Sequence, residues 1–360
     1  MTLQGIFLDP RVKEAPICAK ILDRQRWVPV RLVSSPPLPK GDPFDFGKRR
    51  LFMTLGEGRA LRPCPGTKRY ICCGYQILHL GSGCPFDCTY CILQVYLSNP
   101  YLTVFTNAPE IIKQAQREIT AQRNRFFRIG TGEFMDSLGL EPITELAPLL
   151  VETFSDLDNA CLELKTKSVF IDHLLQLPHR KRTFLSWSLN SPEISESEEK
   201  GTPSLEERLQ AAVRAAEAGY PLGFHFDPLI YYPGWQKGYQ KTLVLLKDYL
   251  AGATVAWISL GALRFMPSLK AVARKRHPET RIFLGEFILG LDGKMRYLRP
   301  IRVEMYRRLY AELKEIFPET TIYLCMESEL VWREALGMNP RQAGGLAQML
   351  DNAARRVIYD

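Results

Sequence analysis

Three cysteines, Cys84, Cys88 and Cys91, fall within one run, Gly83-Cys84-Pro85-Phe86-Asp87-Cys88-Thr89-Tyr90-Cys91. Thiolates are strong ligands for iron and zinc. The spacing C-x3-C-x2-C supplies three of them from one short loop. Three thiolates can hold three irons of a [4Fe–4S] cube and leave the fourth iron open. Electron-carrying clusters are closed by a fourth cysteine, so an open iron points to a coordinated small molecule. Two other readings share the spacing. A zinc site could be completed by His79 or by Cys72 and Cys73, since structural zinc asks for four ligands. Plain buried thiols are the remaining one.

Composition sets the frame around that loop. The 360 residues are 46% hydrophobic and 24% charged, an ordinary balance for a globular chain with one large or two ordinary domains. No apolar run reaches membrane-span length, and the N-terminus lacks the basic and apolar regions of an export signal. The expected location is therefore cytoplasmic, with no membrane contact. Nine cysteines in that setting read as cluster ligands and scattered thiols rather than a disulfide framework. The formal charge of +8 suits a polyanionic partner such as nucleic acid.

The elements that must position the loop are legible as alternating patterns. Strand-length apolar runs occur at 75–80, 126–131, 161–166, 183–189, 221–226 and 254–260, with helical periodicity at 110–123, 143–154, 169–177, 205–218 and 238–250. Ser204 with Glu207 forms a capping box, and Gly219 stops the helix it starts. Continuous apolar strands between helices imply a parallel sheet buried on both faces. The cysteine loop follows the first strand, at the carboxyl end where α/β folds place chemistry. The expected layout is an N-terminal α/β extension over 1–65, a partial (β/α)6 TIM-type barrel over 66–265, and a C-terminal hairpin and helical region over 266–360. Residues 191–200 read as an exposed acidic loop.

Two alternating runs flank Asp292-Gly293, a strong hairpin signal. Arg281, Lys294, Arg296 and Arg299 on its arms, with Arg302, Arg307 and Arg308 following, would suit a grip on a DNA phosphate backbone. Charged residues guarding an exposed edge are the plainer explanation.

The cysteine motif closely resembles that of the radical SAM superfamily. The chain as a whole, from about Gly5 to Cys325, resembles the spore photoproduct lyase family within it. The resemblance rests on Cys84, Cys88 and Cys91, on Leu93-Gln94, and on the stretch from Pro100-Tyr101 to Thr106-Asn107. It continues through Thr166-Lys167 with Asp172-His173-Leu174-Leu175, Ser188-Leu189-Asn190, Ala218 to Phe224, and Gly234-Trp235 with Gly238-Tyr239. It implies a partial-barrel radical SAM lyase. One [4Fe–4S] cluster cleaves S-adenosylmethionine (SAM) to a 5′-deoxyadenosyl radical, the cofactor supplying the hard chemistry. The implied substrate is a methylene-bridged thymine dimer in DNA, and the implied electron donor a flavodoxin or ferredoxin.

The resemblance also implies roles for single residues. Cys84, Cys88 and Cys91 ligate iron, Lys167, Ser188 and Asn190 approach SAM, and Tyr90 belongs to the radical relay. The chain departs from the family at two places. Glu133 stands where the resemblance implies a hydrogen-donating cysteine, and Ile92 where it implies a relay tyrosine. Gly130-Thr131-Gly132-Glu133 resembles the Gly-Gly-Glu motif of other radical SAM enzymes, whose carboxylate accepts from the SAM ammonium. Cys325 is the candidate substitute hydrogen donor if the last strand reaches the pocket. Asp227, His225, Arg264, Tyr231, Tyr232 and Trp235 are secondary candidates. A radical SAM enzyme with another substrate and a non-catalytic iron–sulfur DNA-binding redox sensor remain as alternatives.

Overall fold

The computed structural model describes residues 2–38, 42–66 and 69–360. Its centre is an eight-stranded sheet: β1 (Leu61–Pro63), β2 (Gln76–Leu78), β3 (Phe127–Gly130), β4 (Ala160–Thr166), β5 (Thr183–Ser188), β6 (Leu222–Leu229), β7 (Val255–Ala262) and β8 (Thr321–Leu324). The strands lie side by side in sequence order, with β2 to β8 parallel and β1 antiparallel at one edge. All six expected strands are here, as β2 to β7. Every residue of β5 and β7 is buried, as a sheet covered on one side by helices and filled on the other must be.

The covering helices follow their apolar periodicity. Ala108–Thr120 buries Ile111, Ile112, Ala115 and Ile119, and Leu205–Glu217 starts at the capping box of Ser204 and Glu207. The expected helix over 143–154 is split. Glu145 turns left-handed (φ 45°) between Glu141–Thr144 and Ala147–Ser155, and the Glu141 carboxylate accepts the Leu146 and Ala147 N–H groups at 3.1 Å to start the second piece. The expected helix over 169–177 is only a 3-10 turn, Asp172–Leu174. The Leu174 carbonyl is taken by the Tyr220 hydroxyl (2.7 Å) and that of Ser168 by Trp187 Nε1 (3.0 Å), so the segment is held as a tight connection.

The expected boundaries at 65/66 and 265/266 do not follow the sheets. A five-stranded sheet runs Val30–Leu32, Gly5–Leu8, Arg50–Thr54, Leu102–Phe105, Gly81–Ser82, so it takes two strands from either side of the cysteine loop. In the other direction, β1 and β8 extend the barrel sheet from both flanking regions. The loop is thus clasped between two sheets.

The stretch expected as an exposed acidic loop is a helix, Pro192–Glu198, followed by the strand Glu199–Lys200, with Glu198 and Glu199 buried. The hairpin forms, Phe287–Leu289 against Met295–Tyr297, and Arg264–Phe265 adds a third strand. Its cations are largely internal. Arg296 pairs with Asp292 (2.7 Å) out of water, Arg302 with Glu327 (2.9 Å), and Arg299 with Glu334 (3.5 Å). The exposed residues at its tip are apolar: Leu284, Ile288, Leu289 and Leu291. Among the described residues, no helix is long and apolar enough to cross a membrane.

Candidate active site

The cysteine loop is fixed by its backbone, which leaves its sulfurs uncommitted. Gly83, at φ 85°, donates its N–H to the Phe134 carbonyl (2.9 Å), and Lys48 Nζ donates to the carbonyls of Cys84 (3.1 Å) and Phe86. Asp87–Cys88 pairs with Glu199–Lys200, and the Gln94 side chain donates to the carbonyls of Cys88 (3.4 Å) and Thr89 (3.0 Å). Among the described residues, no hydrogen bond ends on the sulfur of Cys84, Cys88 or Cys91. Cys88 is buried and the other two are half-buried. Burial pushes the Cys84 thiol up and that of Cys88 up to about 12, so ligation would release their protons.

This donor set fits a cube of separate irons better than one ion. Among the described residues, no three His, Cys, Asp or Glu side chains converge on a single-ion site. His79 is no fourth ligand, because its ring packs edge-on against Phe105 at 5.0 Å and tilted against Phe134 at 4.9 Å. Cys72 and Cys73 belong to the barrel cavity and not to the loop.

Glu199 ties the loop to the barrel. Its carboxylate accepts from the Tyr90 hydroxyl, from Ser195 Oγ (3.2 Å) and from Asn190 Nδ2 (3.4 Å), and pairs with fully buried Arg208 at 2.6 Å. Lys167 Nζ lies 3.9 Å from it and 5.9 Å from the Tyr90 ring centre. Burial pushes the Glu199 carboxyl up, but Lys167 and Arg208 outweigh this and hold it low. Tyr90, expected as a relay, is therefore placed as an anchor: its hydroxyl is spent on Glu199. Asn190 also departs from expectation. Its amide donates to the Pro228 carbonyl (3.0 Å) and accepts from Tyr239 (2.6 Å), so it braces the strand ends. The Ser188 carbonyl accepts from Arg208 (3.0 Å), fixing the end of β5.

The barrel interior holds a cavity of about 770 Å³ lined by Glu133, Glu163, Lys165, Asp227, Arg264 and Cys325, among others. The alternation of strands explains why: Glu163 and Lys165 on β4, His225 and Asp227 on β6, and Ser259 on β7 all point inward. Glu163 accepts from Ser186 Oγ (2.7 Å) and Trp257 Nε1 (2.7 Å), with His225 Nε2 at 2.9 Å. Burial opposes ionisation, yet His225 and these donors hold the carboxyl down at about 2. Asp227 and Arg264 form a two-pronged pair at 3.1 and 2.8 Å, and Arg264 Nη2 also donates to Cys325 Sγ at 3.3 Å. Burial nevertheless pushes the Cys325 thiol up to about 12, so the sulfur keeps its hydrogen. Lys165 stays charged, because Asp227 and Glu133 outweigh the cost of its burial.

The residues expected from sequence thus separate into two groups. Glu133 and Cys325 share the cavity, while Tyr90, Lys167, Ser188 and Asn190 surround the Glu199 network beside Cys88. Sequence reading missed Glu163, Lys165 and Glu199. The first two carried a signal, since Glu163-x-Lys165 puts charges at period two inside an apolar strand. Glu199 carried none, lying in an acidic run that looks solvated.

A spore photoproduct lyase family model matches residues 72–326. The chain is 32% identical over 208 residues to spore photoproduct lyase of Bacillus subtilis (strain 168), covering 57% of this chain and 61% of that one. It is 33% identical over 210 residues to that of Geobacillus sp. (strain Y412MC61), covering 58% and 62%. These matches span about three fifths of the relatives' length. A solved spore photoproduct lyase double mutant with bound AdoMet and dinucleoside spore photoproduct superimposes with TM-score 0.81 at 25% identity, covering 91% of this chain and 99% of the other. A spore photoproduct lyase complexed with dinucleoside spore photoproduct gives TM-score 0.80 over 90% and 99%. Because the family match runs from the vicinal cysteines through the loop and every later strand of the barrel, the chain belongs to the spore photoproduct lyase family.

Proposed function

We propose that this protein is a radical SAM lyase that repairs a thymine photoproduct in DNA. Cys84, Cys88 and Cys91 hold a [4Fe–4S] cluster, which supplies the electron that cleaves SAM to a 5′-deoxyadenosyl radical. Glu133 accepts from the SAM ammonium, a charge-assisted hydrogen bond. Lys167 and Ser188 approach the cofactor from the strand ends, and Asn190 supports them through the backbone. Cys325 gives the product its final hydrogen atom. The hairpin faces DNA through its apolar tip, in the manner of wedges that unstack bases, rather than through the internal arginines. A flavodoxin or ferredoxin in a reducing compartment such as the cytoplasm supplies electrons.

The observation that carries this reading is the company Cys325 keeps. A thiol that retains its hydrogen shares one cavity with the carboxylate of Glu133. The experiment is anaerobic cluster reconstitution followed by SAM, dithionite and dinucleoside spore photoproduct. Wild type is expected to form 5′-deoxyadenosine and restore the thymine pair. Cys325→Ala is expected to keep the first and lose the second. Glu133 and Ile92 favour a second reading, a family branch with another substrate, which gains the case if 5′-deoxyadenosine forms while photoproduct stays intact. Photoproduct DNA binding with no 5′-deoxyadenosine would instead favour a sensor.

A further inference from the structure

Four of the nine cysteines lie outside the loop yet near one another: Cys64, Cys73 and Cys325 line the barrel cavity, and Cys72 adjoins Cys73 at the surface. An antiparallel bridge joins Ile71 to Glu327, with the Ile71 N–H donating to the Glu327 carbonyl at 3.0 Å. Two residues along the same register, Cys73 stands level with Cys325, and both face the cavity. Directly opposed residues of antiparallel strands hold their Cβ atoms about 4.5–5.5 Å apart. A disulfide asks for about 3.8 Å, so roughly an ångström of closure joins the two sulfurs.

Three further contacts single out this pair. Arg128 Nη2 donates to the Cys73 carbonyl, holding that strand against the barrel. The Cys73 thiol hydrogen-bonds to Cys72, whose sulfur also receives the Gly74 and Cys73 N–H groups. Gly66 leaves room for that sulfur, since a Cβ there would lie 2.7 Å from Cys72 Sγ.

We propose that Cys73 and Cys325 are a redox-active dithiol in the barrel cavity, with Cys72 as its proton acceptor and solvent-facing exchange thiol. The inference rests on Cys325 as the hydrogen donor and says how that donor is reset. The Cys325 S–H bond breaks homolytically and its hydrogen atom goes to the product radical. The resulting thiyl bonds to Cys73 sulfur while the Cys73 proton passes to the Cys72 thiolate. The disulfide radical anion so formed gives one electron to the [4Fe–4S] cluster and becomes a neutral disulfide. Two thiols have then lost two electrons, one with the hydrogen atom and one to the cluster. An external dithiol returns both by exchange at Cys72, the exposed sulfur. Its Cys73 hydrogen bond and backbone donors keep Cys72 below the ordinary thiol range, which favours thiolate attack.

The test uses the full chain with and without its cluster. Mild oxidation with diamide, then alkylation and peptide mapping, should yield a Cys73–Cys325 cross-linked peptide that dithiothreitol reverses. Cys72→Ser should slow that reversal about tenfold. Independent alkylation of Cys73 and Cys325, a cross-link preferring Cys64, or a bound metal that protects these thiols would overturn the proposal. In a second arm, photoreduced flavodoxin supplies electrons and no dithiol is present. One disulfide should then appear per thymine pair restored, with turnover ending near one per chain. Thymine restored with both thiols free overturns it. A reversible cross-link with no thymine restored leaves the dithiol standing and removes the donor reading instead.

Discussion

A tyrosine beside the last cluster cysteine looks like a radical carrier, but Tyr90 is tied by its hydroxyl to the ionised Glu199. A hydrogen bond to a charged group contributes about 1.5–3 kcal/mol. Tyr90→Phe should therefore lower the unfolding free energy of the cluster-free chain by about that much in urea titration. Unchanged stability with lost turnover would restore the relay role. Cutting the other end is costlier. Glu199→Ala strands fully buried Arg208 and should cost about 3–5 kcal/mol in the same measurement. His79 gives a pH signature. Burial pushes its ring down to about 4, whereas in the unfolded chain it titrates near 6.5. The folded form is thus favoured fully above 6.5, and this contribution is lost as pH falls toward 4. His79→Phe, which keeps the stacking, should flatten the decline in urea midpoint between those values. Parallel wild-type and variant curves would refute the assignment.

At the scale of elements, the six central strands were legible because a two-faced parallel sheet leaves unbroken apolar runs. Residues 169–177 carried a helical pattern but became a tight turn, since distant groups, Tyr220 and Trp187, claim the carbonyls that a helix would use. The acidic run at 191–200 was misread for a similar reason: its partners Thr89, Tyr90 and Arg208 are remote in sequence or look unremarkable there. Gly130 shows what pattern reading does not see. A Cβ on that strand residue would lie 1.5 Å from Tyr75 Oη and 2.7 Å from the Glu163 carbonyl. Gly130→Ala should cost at least about 1–3 kcal/mol, the usual range for overpacking. Gly201→Ala, at φ 76° with nothing within 4 Å, should cost about 1 kcal/mol, the backbone contribution alone. Similar losses for the two in denaturant titrations would mean that the strand yields more than its contacts allow.

For the whole molecule, the expected division into three consecutive regions failed because strand pairing ignores sequence blocks. The N-terminal sheet takes strands on both sides of the cysteine loop, and β8 closes the barrel sheet from the C-terminal region while carrying the chain on to Cys325. One ion pair tests how far the barrel depends on that closure. The helix Leu346–Tyr359 presents Asp351 to Arg128 of β3 at 2.7 Å, and the same guanidinium holds the Cys73 carbonyl. Removing one partner of a buried pair leaves an uncompensated charge, at a cost of about 3–5 kcal/mol. Asp351→Ala should lower the urea midpoint accordingly and increase proteolysis within the last helix. It should also slow the Cys73–Cys325 cross-link, because Arg128 would no longer be held against both. If the helix loosens while the cross-link forms at the wild-type rate, the register set by Ile71 and Glu327 is sufficient by itself. If neither changes, Arg128 finds another anion, and closure of the barrel rests on β8 and its apolar contacts instead.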